Sequence, residues 1–168
     1  MSTETLHTEA AALVATLTAR AETLAVAESL TGGMLAATVA GVPGASAVFR
    51  GGVTAYATDV KASLLDVPEE AVRSVGVVSA EVAGAMADGA RRRLGSTYAL
   101  STTGVAGPDP QEGKPVGTVF VAVAGPGVAQ ILDLRLAGDR QTIRVDTCLA
   151  ALGLLRRTLD QAGTEGGA

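Results

Sequence analysis

The chain has one histidine, one cysteine, no tryptophan, and only two tyrosines and two phenylalanines. The histidine, His7, falls in the first predicted helix near the chain end, so a Ser–His or Cys–His catalytic pair built on it is not expected. Zinc sites assembled from histidine and cysteine fail on count. A lone cysteine excludes an intramolecular disulfide, and Cys148 sits in an apolar helical pattern that reads as a buried core thiol. Lysine is nearly as scarce: Lys61 and Lys114 stand against eleven arginines. No apolar run reaches the roughly 18 residues that a membrane helix needs. The start, "MSTETLHTEAAA", is polar and acidic, so neither a signal peptide nor a membrane partner is expected, and the cytoplasm is the default location. A net charge of −4 with so few aromatics argues against a nucleic-acid partner. The only basic run, Arg91-Arg92-Arg93, reads as a solvated helix end that suits the helix dipole.

What is present is aliphatic. Hydrophobic residues make up 48% of the 168 positions, so the core must be Val, Leu, Ile and Ala. The length fits one domain, expected over residues 1–162, with "GTEGGA" at 163–168 as a disordered tail. Residues 3–20 carry Leu6, Ala10, Leu13, Val14 and Leu17 at helical spacing. A short buried strand is expected at about 23–28, then a glycine-containing loop and a helix from near Thr31. "AVFRGGVTAYA" reads as a long strand whose Gly51-Gly52 marks a bulge or a close backbone approach. "TDVKASLLDV" reads as a short helix, and "PEEAVRSVG" opens with Pro68 and two acids, a helix-start signal. "SAEVAGAMADGARRRLG" runs from a Ser79 cap to a Gly95 stop. "TYALSTTGVAGP" is a strand entering a loop, and "PDPQEGKP" is a polar turn. Two β-rich runs follow, joined through Gly125-Pro126-Gly127 as a hairpin. A last helix is expected over 139–160, with Val145, Cys148, Leu149, Leu152, Leu155 and Leu159 inward. Crossovers plus a hairpin predict a three-layer α/β/α sandwich with a mixed sheet of about five strands.

Loops at strand ends are where such folds place ligands. "GPDPQEGKP" fails as a phosphate-binding P-loop: five residues separate its glycines, and Pro115 occupies the magnesium-binding hydroxyl position. No G-x-G-x-x-G is present. What remains is serine chemistry without histidine. A serine hydroxyl needs a base, and lysine serves if burial keeps its amine neutral. Arginine does not, because it stays protonated. Lys61 therefore reads either as that base or as a surface lysine. Ser29 reads as a nucleophile or as a helix cap. Gly32 and Gly33 either cap a helix or offer amides to a developing oxyanion. The Tyr56 hydroxyl is either wet or shared with Lys61. Arg140 is a helix-start charge or a phosphate ligand.

Five segments, "AESLTGG", "GGVTAYATDVK", "GVVSAEVAGAMADGA", "TGVAGPDP…KPVGTVFVAV" and "AGDRQTIR", occur in an order that resembles the CinA C-terminal domain family over roughly residues 10–157. The departures are mild: Leu30 where cysteine is common, Thr58-Asp59-Val60 before Lys61, and Thr103 where serine is usual. The resemblance implies a nicotinamide-nucleotide amidohydrolase that converts nicotinamide mononucleotide to nicotinate mononucleotide and ammonia. It implies Ser29 as nucleophile and Lys61 as general base, with Tyr56 and Ser46 in the same pocket. Thr103 and Gly104 would hold the substrate, and Arg140 its phosphate. Glu28 would orient the loop, while Thr31, Gly32 and Gly33 would start a helix facing the oxyanion. No metal or cofactor is implied, and a homodimer is. The rival expectations are a non-catalytic pyridine-nucleotide-binding module and a purely structural oligomerisation domain.

Overall fold

The computed structural model describes residues 3–165, with side chains to residue 163. Among the described residues, five strands and six α-helices form a three-layer sandwich. In chain order these are α1 (Thr3–Arg20), β1 (Leu24–Glu28), α2 (Met34–Ala40), β2 (Phe49–Thr54), α3 (Thr58–Leu65) and α4 (Glu69–Val75). Then come α5 (Ala80–Leu94), β3 (Tyr98–Gly104), β4 (Thr118–Gly125), β5 (Val128–Arg135) and α6 (Arg140–Glu165). The sheet order is β2-β1-β3-β4-β5. β1 lies parallel to β2 and β3, while β3–β4 and β4–β5 are antiparallel. The mixed sheet follows from the connections. Long crossovers reach β2 and β3, whereas the short Pro126-Gly127 turn permits only an antiparallel return.

One face is covered by α1, α2 and α6, where Leu13, Leu17, Leu35, Leu152 and Leu155 pack on Val26, Leu100 and Val121. The other is covered by α3, α4 and α5, where Leu65, Val82 and Met86 meet Ala25, Ala27 and Ala99. β1 serves both faces by strict alternation, large residues to one side and alanines to the other. The alanines let α5 lie close to the sheet. All six residues expected inward on the last helix are buried.

Gly51-Gly52 fulfils both expectations. The β1–β2 register steps from Leu24↔Phe49 to Ala25↔Gly51, which leaves Arg50 unmatched. A Cβ on Gly52 would stand 2.7 Å from Val26 Cγ2. Ser79 caps α5 by accepting the Val82 amide at 3.2 Å.

Three boundaries differ from the sequence reading. β2 ends at Thr54 rather than continuing to 57, because the chain turns into α3 at Ala57. α2 begins at Met34 rather than near Thr31, because Thr31–Gly33 form a turn with positive φ at both glycines. The last helix runs on to Glu165, so 163–165 of the expected tail are helical, and 166–168 lie outside the described residues. No described helix is long and apolar enough to cross a membrane.

Candidate active site

The chain leaves β1 toward β2 on one side and later returns past it to β3 on the other. The crevice at the C-terminal ends of these strands is where such a reversal places ligands. Here it is a cleft of about 170 Å³ lined by Ser29, Lys61, Val77, Thr103, Gly104 and Arg140, among others.

Ser29 follows the last residue of β1 and is half-buried. Its amide donates to Thr102 O at 3.0 Å and its carbonyl accepts the Gly32 amide at 3.0 Å, so both sides of the residue are anchored. Lys61 comes from the second turn of α3 and is 1% exposed. Its Nζ lies 2.8 Å from Ala55 O, 3.3 Å from Tyr56 O and 3.1 Å from Ser29 Oγ. None of these oxygens carries a formal charge. Burial therefore pushes the lysine pKa below its ordinary range, and the charge of Glu112 opposes that shift. The two carbonyls can accept only N–H groups, which leaves Ser29 Oγ as the one hydroxyl among the three oxygens within hydrogen-bond distance of Nζ.

Arg140 spans the cleft mouth. Its Nη2 donates to the Tyr56 hydroxyl at 2.8 Å and its Nη1 to Gly107 O at 2.6 Å. The phenol of Tyr56 thus belongs to Arg140. Only the Tyr56 backbone carbonyl reaches Lys61, so of the two readings of the Tyr56 hydroxyl the one shared with Lys61 is not met.

Other expected residues have different places. Glu28 is buried and does not line the cleft. Its carboxylate accepts the amides of Gly33, Leu35 and Ala36 at 3.1, 3.0 and 2.8 Å, closing the start of α2. The Gly32 and Gly33 amides are thereby committed, to Ser29 O and Glu28, and are not open to an oxyanion. Thr31 is buried, with its hydroxyl 2.8 Å from that of Thr102. Ser46 is exposed in a 3₁₀ turn that precedes β2. Since β1 and β2 are parallel, that turn lies at the opposite end of the sheet, and Ser46 is not in the cleft of this chain. Thr103 and Gly104 line the cleft, but the Thr103 hydroxyl donates to Val77 O at 2.8 Å and holds a wall.

A family model for the CinA C-terminal domain matches residues 6–159. The chain belongs to the CinA C-terminal domain family. It is 56% identical over 143 residues to a CinA-like protein of Frankia casuarinae, covering 85% of this chain and 33% of that protein. Identity to a CinA-like protein of an Anaeromyxobacter species is 50% over 152 residues, covering 89% and 37%. The chain thus spans about a third of the length of these relatives. The crystal structure of a competence-damaged protein (CinA) superfamily protein from Escherichia coli superimposes with a TM-score of 0.90 at 30% identity, covering 94% of this chain and 92% of that one. A competence/damage inducible protein from Agrobacterium tumefaciens gives 0.88 at 32%, covering 92% and 95%.

Within this CinA domain, two contributors to the site escaped the sequence reading. Arg144 donates to Leu30 O at 3.2 Å and Thr31 O at 2.7 Å, tying α6 to the loop that carries Ser29. Its spacing of four from Arg140 on one helix was a usable signal. Gln111, in the turn after the Thr103–Pro108 loop, also lines the cleft, and nothing in its local sequence marks it. Among the described residues no group of three or more His, Cys, Asp or Glu is placed to hold a metal ion.

Proposed function

We propose that this domain is a nicotinamide-nucleotide amidohydrolase acting on nicotinamide mononucleotide through Ser29 and Lys61. The observation that carries the proposal is the buried Lys61 amine, 3.1 Å from Ser29 Oγ with its other two contacts taken by carbonyls. Neutral Lys61 accepts the Ser29 proton as Oγ attacks the carboxamide carbon. The tetrahedral intermediate collapses with cleavage of the C–N bond, and the Lys61 ammonium supplies the proton that lets ammonia leave. Water, deprotonated by the again neutral Lys61, then cleaves the Ser29 ester to give nicotinate mononucleotide. The Leu30 amide follows the nucleophile at the cleft and has no acceptor among the described residues, so it is the donor proposed for the oxyanion. Arg140, exposed at the mouth, is proposed to exchange its bonds to Tyr56 and Gly107 for the substrate phosphate.

The test is ammonia release from nicotinamide mononucleotide by the purified protein. Release by the parent and none by Ser29→Ala is the expected result. Nucleotide binding by the parent without any release would instead make the domain a non-catalytic binding module.

A further inference from the structure

One wall of the cleft is Val77–Val78, in the segment that joins α4 to α5. No regular element holds it, yet the Val77 carbonyl and the Val77 and Val78 amides are all anchored by side chains. Thr103 Oγ1 donates to Val77 O at 2.8 Å. The Val77 and Val78 amides donate to the two carboxylate oxygens of Glu112 at 3.1 and 3.3 Å. Gly76, at φ +82°, makes the room: a Cβ there would stand 2.4 Å from Glu112 Oε2. Lys114 Nζ donates to Val75 O at 3.0 Å and lies 3.7 Å from Glu112.

Glu112 occupies an unfavourable backbone position. Gln111 and Lys114 exchange hydrogen bonds, Lys114 N to Gln111 O at 2.8 Å and Gln111 N to Lys114 O at 3.1 Å. The two residues between them have φ of +52° at Glu112 and +71° at Gly113. A turn of this kind favours Asn, Asp or Gly at its first central position. A glutamate there runs against the backbone preference, and its seat on two amides offsets that cost. The turn then presents Gln111, its first residue, to the cleft.

We infer that Glu112 is a positioning residue for the Ser29–Lys61 site: seated on the Val77 and Val78 amides, its carboxylate holds the Val77–Val78 wall and the Gln111 turn in place to receive a nucleotide. This rests on the proposed amidohydrolase reading, and its test does not require turnover. Glu112 also acts on Lys61 through space, since its charge favours the ammonium against the burial that disfavours it. The other ionisable groups near Lys61 are arranged differently. Tyr56, Asp109 and Arg140 line the same cleft. Asp59 shares its helix, and Glu28 is committed to three amides. At the far end of α3, Asp66 pairs with Arg92 and Arg93 of α5.

Because the chain has only Lys61 and Lys114, protein labelled with ¹³C at lysine Cε gives two lysine signals, assigned with Lys114→Arg. In Glu112→Gln, the Lys61 signal is expected to titrate at a lower pH than in the parent, and the dissociation constant for nicotinate mononucleotide to rise roughly tenfold. A merely structural role would weaken binding and leave the titration where it was. Glu112→Asp keeps the charge but shortens the reach, so it should bind more weakly than the parent while Lys61 titrates much as before. It also serves if Glu112→Gln does not fold. An unchanged or higher Lys61 midpoint in Glu112→Gln, or parental nucleotide affinity in either variant, overturns the inference. Absence of ammonia release by the parent would sink the amidohydrolase reading alone, since both readouts are independent of it.

Discussion

Lys61 is the residue at which charge and mechanism can be separated. If it served only as a positive charge, Lys61→Arg would be nearly silent in a chain that otherwise prefers arginine. As a general base it cannot be replaced by a guanidinium that stays protonated. We predict a loss of at least ~100-fold in kcat for Lys61→Arg, the scale of removing a positioned base. The parent kcat/KM should rise with pH through a midpoint below the ordinary lysine range, because the neutral amine is the active form and burial favours it. A folded Lys61→Arg protein with near-parental turnover would move the base elsewhere. Ser29 and Lys61 were candidates from composition, because a single histidine near the chain end and only two lysines left few possible bases, but the residues alone left each with a plain structural alternative and only the family resemblance paired them. Tyr56–Arg140 and Glu112–Val77 were not legible. Each joins segments brought together only by the crossovers, and no local pattern encodes a partner 84 or 35 residues away. Ser46 was misplaced for the same reason, since its end of the sheet depends on β2 running parallel to β1.

Elements were easier to read than contacts. Amphipathic period, Ser79 and Gly95 caps and the Gly-Pro-Gly hairpin are local signals, and the helices and strands they predicted are present. The start of α2 was missed because a buried carboxylate from the preceding strand, rather than a side chain of the helix itself, closes its first turn. The seating of α3, which carries Lys61, depends on an equally unobtrusive feature of α5. A Cβ on Gly89 would lie 1.9 Å from Leu65 O and 2.8 Å from Leu65 C, both backbone atoms that cannot rotate away. Gly89→Ala, favourable for an isolated helix, should therefore force α3 and α5 apart. Loss of about 1–3 kcal/mol in denaturant unfolding is expected, together with a lower kcat as Lys61 Nζ is displaced from Ser29. Stability equal to the parent would mean that α3 is free to shift, and the anchoring of Lys61 through this contact would have to be abandoned.

At the scale of the whole molecule, a lysine kept buried without a carboxylate among its three hydrogen-bond partners opposes folding. The linkage has a definite sign. The folded pKa of Lys61 lies below its ordinary value of 10.5, so between the two values the unfolded chain binds more protons than the native protein. Stability must rise with pH across that window. Below the folded pKa the full penalty of a buried ammonium is present, and above 10.5 both states are neutral and it vanishes. Lys61→Met retains a similar apolar stem and removes the titration. It also leaves Ala55 O and Tyr56 O without their donor, but that loss is the same at every pH. The difference in Tm, variant minus parent, should therefore be greatest and flat on the acid side of the folded pKa and shrink between that pKa and the alkaline end of a series from about pH 6 to about pH 10. All other groups titrate in both proteins and cancel. Parallel Tm curves over the series would mean that Lys61 is held with an ordinary proton affinity, and with it the neutral amine on which the proposed serine chemistry depends would be lost.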